Sequence, residues 1–255
     1  MSRNFELLQR AGREQALYTG QPMAEAEPLA EQPVVFPEPL ASSLTMPEAE
    51  VEEFTKLVQR LFIVPGNDAP RSVVFTAPER GNGCSWICAR TAEILSRQVG
   101  GSVCVVDANL RNPGLHSQFG VENDRGISDA LTTQEPMRTF ARKVGRSNLW
   151  MVSAGSNPES AQNLLTSDRM RLRLSELRAE FDFVLLDAPA LSQANDAVLL
   201  GCASDGVVLV LKANSSRREG ARTAIHGLQT AKARVLGAVL NQRTFPIPDS
   251  IYKKL

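Results

Sequence analysis

Short apolar runs alternate with longer segments that carry apolar residues at helical spacing along most of the chain. The runs predict β-strands at Val73–Thr76, Val103–Asp107, Leu149–Ser153, Phe183–Asp187, Gly206–Leu211 and Val235–Leu240. The segments between them predict helices at Ser85–Gln98, Ser167–Glu180, Asn195–Ala203 and Ser216–Ala233. Near-continuous apolar strands separated by helices are typical of a mainly parallel sheet that is covered on both faces. The pattern therefore predicts an α/β fold.

The first 46 residues do not follow this pattern. Residues 1–20 contain a short amphipathic segment, Ser2–Leu17, that predicts an N-terminal helix. Such a helix is marginally stable alone, so it either frays or docks on a partner, and we favour docking. Residues 21–46 hold five prolines among Ala, Glu and Gln, which predicts a disordered or extended linker.

The folded domain is predicted to cover residues 47–242, followed by a tail, residues 243–255, that contains Tyr252. Thr45 and Glu48 have the spacing of a capping box. They predict the start of a helix whose apolar stripe includes Phe54 and Val58. This helix is expected to lead into the core of the domain.

Charge, cysteine content and hydropathy bear on the partners and the compartment of the protein. The chain has 28 basic and 28 acidic residues, so its formal charge gives no support for a nucleic-acid partner. Cys84, Cys88, Cys104 and Cys202 lie in apolar or glycine-rich segments. This position favours reduced, buried thiols in a cytoplasmic protein. An apolar stretch of about 18 residues, as a transmembrane helix needs, is not found.

A glycine-bearing turn connects the first predicted strand to the first predicted helix of the domain. Gly81 and Gly83 lie in this turn, where glycines allow backbone N–H groups to approach a phosphate and the helix N-terminus adds a favourable dipole. Ser85 stands where a Walker A hydroxyl would hold Mg²⁺, and Cys84 takes the place of the lysine. A glycine turn before a helix is by itself a weak signal.

Two further strands end in an aspartate, Asp107 and Asp187. A carboxylate that closes an apolar strand is costly unless it meets a cation, a water network or a metal. The segment that ends in Asp187 has the form of a Walker B strand, whose carboxylate acts on Mg²⁺. Each aspartate alone either caps the next segment or serves a metal. Together with the glycine turn they favour a metal-phosphate crevice at the carboxyl ends of the strands.

The order of these motifs resembles a known family. From about Glu48 to Leu255 the chain is similar to the cytoplasmic domain of bacterial tyrosine kinases of the capsular and exopolysaccharide family. These are P-loop proteins related to the deviant-Walker partition ATPases, which implies a P-loop NTPase-like fold. The motifs that carry the resemblance are Gly81–Ser85, Val106–Pro113, Gly126–Asp129, Val184–Pro189, Asn195–Ala197, Asp205–Val210 and Val235–Asn241, with Met1–Leu8 at the start.

The resemblance implies roles for particular residues. Ser85, Asp107 and Asp187 would arrange Mg²⁺, the loop around Gly81 and Gly83 would hold the phosphates of ATP, and Asn241 would contact adenine. Tyr252 would be the phosphate acceptor. The resemblance also implies a membrane polysaccharide co-polymerase as partner, a location at the inner face of the membrane through that partner, and assembly into a homo-oligomeric ring.

Several positions depart from the family pattern. Cys84 replaces the lysine that bridges the β- and γ-phosphates, and the helix N-terminus is expected to lower the pKa of its thiol. Asn109 replaces an aspartate. Trp86 replaces a small hydroxyl residue. Its ring either stacks on a base, fills the crevice or packs in the core, and we favour packing in the core. Tyr252 stands alone where the family has a tyrosine cluster, and Glu53–Gln59 only approximates the helix used in ring assembly.

Three hypotheses follow from this pattern of matches and departures. The favoured one is a regulatory pseudokinase with impaired ATP binding, since the lysine, the second aspartate and the tyrosine cluster are all missing. The alternative is an active but weak tyrosine autokinase with Tyr252 as acceptor. A partition-type ATPase is disfavoured because Glu79 takes the place of its signature lysine. Arg80 and Arg111 are the candidates for a substitute cation near the phosphates.

Overall fold

A computed structural model describes residues 46–64, 68–156, 165 and 167–243. The predictions for residues 1–45 and for Tyr252 lie outside the described residues. The helices are α1 (Glu48–Val58), α2 (Cys84–Gln98), α3 (Leu115–Phe119), α4 (Ile127–Thr132), α5 (Asp168–Glu180), α6 (Asp196–Ala203) and α7 (Arg218–Thr230). The strands are β1 (Ser72–Thr76), β2 (Val103–Asp107), β3 (Arg142–Lys143), β4 (Leu149–Val152), β5 (Phe183–Asp187), β6 (Gly206–Lys212) and β7 (Val235–Asn241).

The strands form one seven-stranded sheet in the order β3-β4-β2-β5-β1-β6-β7. All neighbouring pairs are parallel except β3 and β4, which are antiparallel. The central strands β1 and β2 are buried along their whole length. This explains why their sequences are continuously apolar rather than alternating. The predicted mainly parallel α/β fold is confirmed.

Helices cover both faces of the sheet, as the pattern predicts. On one face α1, α2 and α3 pack against side chains such as Val73 and Phe75 of β1. On the other face α4 to α7 pack against side chains such as Val74. Because successive residues of a strand point to opposite faces, neighbouring residues of β1 contribute to two separate apolar clusters. The sheet thereby fixes the position of every strand end.

Two predictions about local structure are wrong. Helix α1 begins at Glu48 after Pro47, with no side-chain cap. The predicted capping box would instead make Met46 the first residue of the helix. Pro47 prevents this, because a residue that precedes proline is disfavoured in the helical region. The second error is Cys202, which is exposed. Only one side of α6 faces the sheet, and Leu199 of the same helix is also exposed.

Helix length bears on membrane insertion. The helices within the described ranges are all too short or too polar to span a bilayer.

Candidate functional site

The carboxyl ends of β1, β2 and β5 meet at one edge of the sheet. Asp107 of β2 lies directly opposite Asp187 of β5, and Asp187 in turn lies opposite Phe75 of β1. A cleft of about 390 Å³ opens beside them, between the turn around Gly81, the segment after Asp107 and the segment after Asp187. The predicted convergence of the three strand ends is therefore what the structure shows.

The turn before α2 is held in a conformation that favours glycine. Gly81 and Gly83 have φ angles of +81° and +80°, respectively. Between them Asn82 is buried, with 5% of its surface exposed. Its side-chain amide donates to the carbonyl oxygen of Val210 at 3.0 Å and to the Ser216 hydroxyl at 3.3 Å. Asn82 thus anchors the turn to β6 and to the segment before α7.

Asn241, at the end of β7, fastens the turn from a second direction. Its Nδ2 donates to the carbonyl oxygen of Asn82 at 2.8 Å, and its Oδ1 accepts from the backbone N–H of Gln242 at 2.8 Å. A Cβ atom at Gly83 would lie 2.3 Å from Nδ2 of Asn241. The side-chain amide that the resemblance assigns to adenine is therefore engaged by the glycine turn and by the next residue.

This close approach gives a matched pair of substitutions. Gly81→Ala is expected to cost only the penalty of a left-handed backbone, about 1–2 kcal/mol, because nothing lies within 4 Å of its Cβ. Gly83→Ala carries the same backbone penalty and also displaces Asn241 from Asn82. We expect it to lower the free energy of unfolding by at least about 1 kcal/mol more than Gly81→Ala, as measured by urea denaturation. Equal losses would contradict the proposed tie between β7 and the turn.

Asp107 acts as a cap in this structure. Its carboxylate is fully buried and accepts backbone N–H groups from Asn109 at 3.2 Å, Gly114 at 3.0 Å and Leu115 at 2.9 Å. Burial raises the pKa of Asp107 to about 6, while these N–H groups lower it. The capping alternative for this aspartate is thus realised at the start of α3, and most of its acceptor capacity is used.

Asp187 is buried in a different way. It is 1% exposed, and neither carboxylate oxygen has a hydrogen-bond partner of good geometry among the described residues. Burial, followed by the nearby charge of Asp107, raises the pKa of Asp187 to about 8. The Ser85 hydroxyl and the Cys84 thiol approach the carboxylate and lower this pKa only in part. An orphaned carboxylate of this kind is suited to a divalent cation.

The pKa of the Cys84 thiol is not lowered, although Cys84 lies at a helix N-terminus. Burial, then the charges of Asp187 and Cys88, raise the pKa of the Cys84 thiol well above its usual value. The expected lowering of this pKa is therefore wrong. Desolvation and two groups that become anionic outweigh the helix dipole, and the dipole effect falls off within one turn. Cys84 presents a neutral thiol to the cleft.

Trp86 lines the cleft and also packs against α1. Its ring meets the ring of Phe54 edge-on, with centroids 5.3 Å apart. The structure thus supports the packing interpretation, which fixes the ring at the wall of the cleft rather than over a base. Asn109 also lines the cleft, and its Oδ1 is buried without a hydrogen-bond partner in the described part of the chain.

The two candidate substitute cations differ in their surroundings. Arg111 turns away to Asp196, which its Nε contacts at 3.1 Å. Arg80 is exposed at the rim of the cleft and has no ion-pair partner within the described ranges. Of the described residues that line the cleft, Arg80 alone carries a positive charge. Ser85, the predicted Mg²⁺ ligand, thus lies beside Asp187, whereas a neutral thiol stands at the position of the phosphate-binding lysine.

Asn82 and Ser216 are two further residues of the site that the sequence does not predict. Both stabilise the turn through side-chain hydrogen bonds that cross from one element to another. An asparagine between two glycines looks like an ordinary turn residue. Its partner lies 134 positions away, so no local pattern connects the two.

Several solved structures share this fold. A chimeric protein, CapA2B2, superposes with a TM-score of 0.73 at 23% identity, over 82% of this chain and 92% of that one. The kinase domain of the Escherichia coli tyrosine kinase ETK has a TM-score of 0.70 at 21% identity, over 78% and 79%. A ParA family ATPase from Chlorobium tepidum has a TM-score of 0.56 at 19% identity, over 68% and 75%. The fold is that of P-loop NTPases.

Sequence relatives narrow the class. No family model matches the chain. "Tyrosine-protein kinase YwqD" of Bacillus subtilis is 32% identical over 171 residues, which cover 67% of this chain and 72% of that protein. "Putative tyrosine-protein kinase CapB" of Staphylococcus aureus is 24% identical over 79% of this chain and 88% of its own. The chain belongs to the bacterial tyrosine-protein kinase family.

Proposed function

We propose that this chain is a regulatory pseudokinase of capsular or exopolysaccharide synthesis or export, with impaired binding of Mg·ATP. The observation that supports this function is the neutral thiol of Cys84 at the position of the phosphate-binding lysine. Burial and Asp187 keep that thiol protonated by raising its pKa. The glycine turn therefore offers backbone N–H groups to a triphosphate without the ammonium that would neutralise its charge.

The size of the missing interaction supports impaired activity. A positioned cation on a transferring phosphoryl group acts where charge develops, and loss of one comparable donor costs about 3–4 kcal/mol. Since about 1.4 kcal/mol corresponds to a tenfold change in rate, the expected loss is two to three orders of magnitude. Arg80 at the rim is exposed to solvent, which weakens its attraction for phosphate.

The proposed partner is a membrane polysaccharide co-polymerase at the inner face of the membrane. Membership in the tyrosine-kinase family supports this choice, as does the family resemblance of the motifs around the cleft. In the proposal, the chain serves its partner as a folded docking unit from the cytoplasm, singly or as a homo-oligomer.

A replacement experiment tests this function. The chromosomal copy of the gene is exchanged for one that encodes Ser85→Ala, which removes the predicted Mg²⁺ hydroxyl with little change in shape. We expect secreted polysaccharide to stay near the parental amount, while deletion of the gene lowers it. Polysaccharide output that falls as far with Ser85→Ala as with deletion would overturn the proposal.

Retention of Ser85 and Asp187 in a cation-binding arrangement favours a second function, a weak tyrosine autokinase. Under this alternative the protein purified from its own cells carries phosphate on Tyr252. The phosphate is absent when the same protein carries Asp187→Asn. Mass spectrometry of the C-terminal peptide decides between the two functions, because the pseudokinase predicts an unmodified Tyr252 in both proteins.

A further inference from the structure

A second concave surface lies at the same edge of the sheet as the cleft. It is a groove of about 360 Å³ between the ends of β6 and β7 and the first turns of α7, and we call it the rim groove. Its apolar lining comes from Leu211, Ala221 and Leu240, and its charged lining from Lys212, Arg218 and Arg243. Leu240 is 56% exposed, an unusual state for a large apolar residue of a strand.

The charge of the rim groove is unbalanced. Lys212 and Arg218 are basic, and none of the described lining residues is acidic. The side chains of Lys212 and Arg218 make no ion pair or hydrogen bond with another described residue. The groove thus combines an apolar floor with a positive rim, which suits a short segment that carries apolar side chains and one carboxylate.

We propose that the chain's own segment of residues 244–250 occupies the rim groove. The chain reaches the groove at Arg243, which lines it, so the segment starts at the rim and five residues reach at most about 17 Å further. Phe245 and Ile247 supply apolar side chains for Leu211 and Leu240, and Asp249 is the one acidic side chain in residues 244–255. Asp249 pairs with Arg218.

The composition of the segment lowers the cost of docking. Pro246 and Pro248 restrict their own backbone and that of the preceding residues to extended conformations. Less conformational entropy is therefore lost on binding than for an unrestricted peptide. The segment covers the exposed edge around Leu240. This inference does not depend on whether the cleft binds nucleotide.

Hydrogen exchange of the full chain without nucleotide tests the proposal. Asp249→Lys and Arg218→Glu are each expected to speed exchange of the backbone amides at positions 245, 247 and 249 by about threefold to fivefold, the effect of one partly exposed ion pair. Combining the two substitutions restores the opposite charges, so slow exchange is expected to return. Arg222→Glu, an equal charge change on the exposed part of α7 outside the groove, is the control and is expected to have no effect.

A second substitution separates the apolar contact from the ion pair. Phe245→Ser is expected to speed exchange of the segment and also of the backbone around Leu240. The proposal is overturned if the single variants exchange like the parent, or if the double variant is as fast as the singles. It is equally overturned if protection of the groove rises with protein concentration, since a second copy would then be the occupant.

Discussion

Replacement of Cys84 by lysine is expected to raise the affinity for Mg·ATP by about a hundredfold, which corresponds to about 2.7 kcal/mol. The side chain at this position adjoins Asp187 and Ser85 and lines the cleft. An ammonium there pairs with the buried carboxylate and reaches the phosphates above the glycine turn. Isothermal titration of the two proteins with Mg·ATP measures the difference.

Cys84→Gln is the matched control, because it adds length and polarity without charge. It is expected to leave the affinity within about threefold of the parent, a change of less than 1 kcal/mol. If Cys84→Lys also leaves the affinity unchanged, charge is not what limits binding, and the ring of Trp86 at the cleft wall becomes the obstacle. Trp86→Thr in the Cys84→Lys background then identifies that obstacle by a gain in affinity.

The two aspartates at the strand ends are expected to respond in opposite directions to replacement by asparagine. Asp187→Asn removes a buried carboxylate without a hydrogen-bond partner, so at pH 8 we expect a gain of about 2 kcal/mol in the free energy of unfolding. Asp107→Asn loses charge-assisted bonds to three backbone N–H groups, so we expect a loss of about 1–3 kcal/mol. Urea denaturation measures both. Stabilisation by both variants, or by neither, would contradict the assigned environments.

The pH dependence of stability follows from the same environments. In the folded chain the pKa of Asp187 is raised from 3.8 to about 8, whereas the unfolded carboxyl is ionised above about pH 4. The folded state therefore holds an extra proton between these values, and stability falls as the pH rises through this window and levels off above pH 8. Asp187→Asn is expected to remove the fall between pH 6 and 8. The remaining fall, below pH 6, belongs to Asp107, whose pKa is about 6.

Much of the fold is predictable from the sequence because buried parallel strands leave a strong pattern. β2 and β5 have the predicted bounds, and α2 begins one residue before its prediction. The elements that were not predicted, α3, α4 and β3, have six residues or fewer. They depend on contacts with distant parts of the chain, such as the Asp107 carboxylate at the start of α3. Local periodicity carries no signal for such short elements.

The residues that form the site could be predicted from the sequence, but their roles could be predicted only in part. The three strand ends converge because parallel strands share one carboxyl edge. The sequence treats Asp107 and Asp187 alike, yet one accepts three N–H groups and the other has no partner of good geometry among the described residues. The difference arises from the path of the chain after each strand. The raised pKa of Cys84 likewise depends on Asp187, about a hundred residues further along the sequence.

Under the proposed function, a neutral thiol in place of an ammonium leaves the cleft unable to hold a triphosphate firmly. Calorimetric titration of the unsubstituted, nucleotide-free protein with ATP, in Mg²⁺ and in EDTA, tests it most directly. We expect a Kd weaker than about 100 μM in Mg²⁺ and no tighter binding in EDTA. A sub-micromolar Kd for Mg·ATP would contradict it.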